Sequence, residues 1–163
     1  MQNEAHTSHL PVSENGAGRY QQTVRAGRHE LIADEPVSAG GDDAGLAPYD
    51  FLMAALGACT SMTLRMYAER KGLALTRVHV DLSHEKIATP EQKPVDRIER
   101  VITLEGDLTP EQRQRLLEIA NKCPMYRTLT SNIQIESTIA GWSVWSINAA
   151  ANTNPRQKLT NRG

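Results

Sequence analysis

Between Pro48 and Lys71 the sequence PYDFLMAALGACTSMTLRMYAERK runs for 24 residues with Gly57 as its only glycine and no proline after the first position. Alanine and leucine are frequent, Pro48 suits a first helical turn, and Gly72 follows the last charged turn, so the stretch reads as one helix with both ends marked. At 1.5 Å of rise per residue such a helix spans about 36 Å, longer than a small domain ordinarily needs. Its apolar residues from Phe51 to Met66 occupy much of the circumference. That predicts burial on several sides, under a wrapping sheet or against a partner subunit.

The rest of the chain is organised around that helix. A length of 163 residues suits one domain with a core of its own, and the domain is expected over residues 18–147. Residues 1–17 and 148–163 are polar, aperiodic and expected to be flexible ends. Arg19–Arg25 and His29–Asp34 read as two short strands joined at Ala26-Gly27, followed by the glycine-rich SAGGDDAG. After Gly72, RVHVDLSHEKI places Val78, Val80 and Leu82 on one face. RIERVITLEGDL is rich in β-branched residues, and both segments read as strands. Thr109-Pro110-Glu111-Gln112 has the form of a capping box, opening a second helix that should stop at Cys123-Pro124. Ile133, Ile135 and Ile139 alternate as a last strand would, ahead of Trp142 and Trp145.

A net charge of −1 and the absence of any run of five basic residues argue against nucleic acid or an anionic membrane as partner. The N-terminal residues lack the basic and apolar regions of a signal peptide, and no apolar run reaches membrane-spanning length. A cytoplasmic location is therefore expected, with both cysteines starting as thiols.

Those two cysteines, Cys59 and Cys123, carry the chemistry the sequence suggests. Cys59 lies mid-helix, with Leu52, Ala55, Met62, Thr63 and Met66 on its face. Burial alone would leave it inert, and the helix dipole fades away from the terminal turns. A reactive Cys59 therefore needs a cation from elsewhere, for which arginine is better suited than lysine. Cys123, placed at the C-terminal end of the second helix, faces the negative end of the dipole and is expected to be a poor first nucleophile. It could still attack an oxidised sulfur. The opposing reading is plain: free cysteine is often a small core hydrophobe. There is no CxxC, two cysteines do not close a zinc site, and His6, His9, His79 and His84 lack ligand spacing, so no metal is expected.

The segments GLAPYDFLMAALGACTSMTLRMYAERKGL and LLEIANKCPMYRTL resemble the two cysteine motifs of the OsmC/Ohr family, with Cys59 and Cys123 on its paired cysteine positions. HELIADEPVSAGGDDAG is similar to the lead-in to its first motif. The resemblance implies an α+β fold, an antiparallel sheet wrapped around a long central helix, in an intertwined homodimer. It implies reduction of organic hydroperoxides in defence against oxidative stress: the Cys59 thiolate attacks, Cys123 resolves it to a disulfide, and an external dithiol restores both, without metal or organic cofactor. Characterised members also use an N-terminal arginine held by a glutamate just before the cysteine helix. Here that position is Tyr49, and the nearest acid is Asp50. Arg25 and Arg28 are the candidate arginines, ahead of Arg19, and Asp50 either orients one of them or serves the helix N-terminus. The departure leaves a second expectation beside the enzyme: a stress-associated protein of the same fold that binds a small apolar ligand or senses redox state.

Overall fold

The computed structural model describes residues 9–88 and 93–140. A first compact unit ends at Asn132 and a second begins at Ile133. The expectations for His6, Trp142, Trp145 and the 148–163 tail lie outside the described residues.

Three antiparallel strands open the chain: β1 (Val12–Glu14), β2 (Gln22–Ala26) and β3 (His29–Ala33), in the order β1-β2-β3. The β2–β3 hairpin pairs Ala26 with His29. Its two-residue turn is therefore Gly27-Arg28, one position later than the sequence suggests, and Gly27 takes the positive φ of 60° there. β1 departs from the expectation of an unstructured 1–17 segment. Its three residues are all exposed, so no hydrophobic alternation announces it, and it is held by pairing Val12 to Val24 and Glu14 to Gln22.

Between β3 and the long helix the chain turns around one carboxylate. Asp34, 2% exposed, accepts backbone N–H bonds from Glu35 through Oδ1 and from Asp42 and Ala44 through Oδ2. Burial on its own would raise this carboxyl, but the N–H donors of Ala44, Glu35 and Asp42 outweigh it and hold it below the ordinary carboxylate value. A group depressed in the folded state contributes stability above its unfolded value and loses it as pH falls through the folded one. Asp34→Asn, whose amide would point a donor at two N–H groups, should lower the melting temperature at neutral pH. It should also flatten the loss of stability below about pH 4; an acid limb identical to the parent's would refute this.

The long helix α1 spans Pro48–Lys71, with Pro48 at its first position and Gly72 in the left-handed conformation after it, as the sequence indicates. Two long strands follow, β4 (Ala74–Ile87) and β5 (Val95–Asp107), paired antiparallel. Val78, Val80 and Leu82 are half-buried in alternating register, as expected. α2 (Pro110–Ala120) begins with the anticipated capping box: Gln112 N–H donates to Thr109 Oγ1, and the Thr109 N–H donates to Gln112 Oε1.

α1 packs against β4, α2 and a further short helix. Leu56, Thr60, Leu64 and Ala68, at four-residue intervals, form its buried stripe. Leu64, Ala68, Leu75, Leu108, Leu116 and Ala120 make the core. Within one chain Met62 and Met66, on the opposite face, stay 64% and 69% exposed. The expected strand over Ile133–Ile139 does not form among the described residues. Alternation supplies two faces but not a hydrogen-bonding neighbour, and Ile135 is 83% exposed.

Candidate active site

The second helix stops at Ala120, and Cys123 is the N-cap of a new helix, α3 (Pro124–Leu129), which the sequence reading missed. This corrects the electrostatic argument made for Cys123. Its sulfur faces the start of a helix rather than the end of one, and Sγ accepts the Tyr126 N–H at 3.3 Å. Pro124 has two roles: it cannot continue α2, and it suits the first turn of α3. Cys123 is fully buried, whereas Cys59 is half-buried.

Thr60, the residue after Cys59, points into the buried stripe of α1, and its Oγ1 lies 3.7 Å from Cys123 Sγ. Residues 63 positions apart thus meet in the core, which brings the turn of α1 carrying Cys59 against the start of α3. Among the described residues the Cys59 sulfur makes no hydrogen bond.

A guanidinium completes this cluster. Arg100 occupies the half-buried face of β5 that also presents Ile98, Ile102 and Leu104. Its Nη1 donates to Thr60 Oγ1 at 2.8 Å and to the Ala120 carbonyl at 3.3 Å. Nη2 donates to Asn121 Oδ1 at 2.7 Å, and the group lies 5.1 Å from the centre of the Tyr126 ring. The end of α2, where carbonyl oxygens are unsatisfied, is a favourable seat for a cation. Arg100 forms no ion pair among the described residues.

Beside it lies a cavity of about 340 Å³ walled by Leu56, Ile98, Ile102, Leu117 and Leu129, with Arg100, Asn121, Tyr126 and Thr130 as polar lining. Asp96 also lines it. That carboxylate pairs with Lys86 at 2.9 Å and His84 at 2.8 Å, which hold it below the ordinary carboxylate value, Lys86 contributing most. Asp96 in turn raises Lys86. His84 is no plain surface residue, since its ring stacks on Tyr49 at 4.1 Å. Tyr49 therefore belongs to this polar corner.

The other candidates stand apart from the cysteines within the chain. Arg25 is exposed and paired with Glu30 at 2.8 Å, and Arg28 is exposed in the hairpin turn. Asp50 accepts the Ala47 N–H at 3.1 Å, the contact of an acid in the third helical position. Arg100, Thr60 and Asn121 were missed by sequence reasoning. The one signal for them was an arginine in phase with Ile98 and Ile102, on the inward side of a strand.

Residues 40–138, more than half of the chain, match the model of a protein family described as OsmC-like protein. The chain belongs to the OsmC-like family. Solved structures agree on the α+β fold. An OsmC-like protein from Mycoplasma pneumoniae is 15% identical with a TM-score of 0.66, over 78% of this chain and 89% of that one. An organic hydroperoxide resistance protein OsmC from Legionella pneumophila is 20% identical with a TM-score of 0.62, over 80% and 93%. The organic hydroperoxide resistance protein OhrB of Bacillus subtilis is 18% identical with a TM-score of 0.56, over 78% and 93%. No protein of curated function matches the sequence. Among the described residues no helix is long and apolar enough to cross a membrane.

Proposed function

We propose that this OsmC-like protein is a thiol-dependent reductase of organic hydroperoxides, acting against oxidative stress in the cytoplasm. The Cys59 thiolate attacks the distal peroxide oxygen and displaces an alcohol, leaving a sulfenic acid. Cys123 captures it as a disulfide with loss of water, and an external dithiol reduces the disulfide. No metal or organic cofactor takes part.

The observation that carries this reading is the contact between Thr60 and the Cys123 sulfur, which joins two cysteine segments far apart in sequence. The division of roles now rests on access rather than on dipoles: a peroxide can reach the half-buried Cys59 before it can reach the fully buried Cys123. The exposed methionine face of α1 supports a homodimer in which a second copy covers Met62 and Met66. In that dimer the cation beside Cys59 comes from the exposed N-terminal hairpin, Arg25 or Arg28, with Asp50 as its anchor.

Thiol counting after a single turnover tests the reaction. One equivalent of an alkyl hydroperoxide should consume two thiols per chain, release one alcohol and leave an intrachain Cys59–Cys123 disulfide by mass. Hydrogen peroxide should react more slowly, since the residues that share the Cys59 face of the helix, Leu52, Met62 and Met66, are apolar. Two thiols surviving the alkyl hydroperoxide would reject the reading in favour of a ligand-binding protein of the same fold.

A further inference from the structure

Arg100 has no place in the reaction as set out so far, yet a hydrogen-bonded path through Thr60 joins its guanidinium to the Cys123 sulfur. A guanidinium only donates, so the 2.8 Å bond to Thr60 Oγ1 uses that oxygen as an acceptor. The hydroxyl proton of Thr60 is then free to turn toward Cys123 Sγ, 3.7 Å away. The path is firmly held. Asn121 and the Ala120 carbonyl fix the guanidinium, and no carboxylate among the described residues neutralises it.

We propose that Arg100, acting through the Thr60 hydroxyl, is a positioning residue that aims and polarises the Cys123 sulfur for its attack on oxidised Cys59. In that step the Cys123 sulfur gives up its proton and forms the S–S bond as the S–O bond of the Cys59 sulfenic acid breaks. The departing hydroxide takes up one proton and leaves as water, so no further oxidant or reductant is consumed. Thr60 is the covalent neighbour of Cys59, so the residue that orients the incoming sulfur is tied to the sulfur it attacks. This arrangement also accounts for a charged side chain on the inward face of β5, where Ile98 and Ile102 flank it.

The inference rests on the disulfide-forming reading of Cys59 and Cys123, and its test is chosen to be separable from that reading. In Cys59→Ser protein, Cys123 is the sole thiol, and its ionisation is followed by thiolate ultraviolet absorbance against pH, with no peroxide present. Adding Thr60→Val or Arg100→Gln should move the titration midpoint up, since the first removes the hydroxyl that faces the sulfur and the second the cation behind that hydroxyl. Thr60→Ser, which keeps the hydroxyl, should restore it. In the chain with both cysteines, Thr60→Val should slow disulfide closure after one equivalent of hydroperoxide by about tenfold near neutral pH. Coincident titrations for the parent, the valine and the glutamine variants would overturn the proposal. A chain whose titration shifts as expected but which consumes no hydroperoxide would instead overturn the proposed function.

Discussion

With Cys59 replaced by serine, consumption of an organic hydroperoxide should fall on the order of 10³-fold or more, as expected when the covalent nucleophile is removed. Cys123 cannot substitute, because its sulfur is fully buried. The complementary variant separates the roles. Cys123→Ser should complete the first chemical step and stop there, trapping one sulfenic equivalent per chain that a dimedone-type reagent captures, while sustained turnover with a dithiol collapses. Circular dichroism should be unchanged in both, since a serine in either place removes no packed volume of consequence. Full turnover in Cys59→Ser would end the assignment. Loss of the sulfenic equivalent in Cys123→Ser with intact folding would reverse the order of attack, and the Tyr126 N–H on the Cys123 sulfur would then be read as activating the first nucleophile.

How much of this was legible beforehand depends on whether the decisive interaction is local. α1 was readable to the residue, because Pro48 and Gly72 act on the backbone directly. The capping box of α2 was readable for the same reason, as Thr109 and Gln112 meet within one turn. α3 was not, since six residues are too short to show a helical period and Cys123-Pro124 looks like an ending until its second role is seen. β1 and the absent Ile133–Ile139 strand fail in opposite directions for one reason. Strands exist through their neighbours, so Val12–Glu14 gains structure from β2 without a pattern while the isoleucine alternation has a pattern without a partner. At the site, the motifs marked both cysteines. The arginine bonded to Thr60 was hidden, since Arg100 and Thr60 are 40 positions apart and nothing in either local sequence names the other.

A large loss of stability from adding a single methyl group is expected at Gly106. In RIERVITLEGDL this glycine passes for an ordinary strand residue, yet its φ is 132°, a region L-residues rarely adopt. A Cβ there would fall 2.1 Å from the Ala74 carbonyl oxygen and 2.9 Å from the Thr76 nitrogen. Both are backbone atoms at the register shift between Leu75 and Arg77, so no side chain can swing aside. Gly106→Ala must therefore break the bulge or spread the hairpin, and should cost about 3 kcal/mol or more, a large part of an ordinary domain's stability. Gly27→Ala supplies the comparison. Gly27 also has a positive φ, 60°, but a Cβ there meets nothing within 4 Å, so that variant should lose only about 1 kcal/mol. Denaturant midpoints at one fixed protein concentration read the difference, and equal losses at the two glycines would refute the clash. The site should register the same break. β5 carries Arg100 into the core, so spreading the β4–β5 hairpin should loosen the Arg100–Thr60 bond and slow disulfide closure in Gly106→Ala but not in Gly27→Ala.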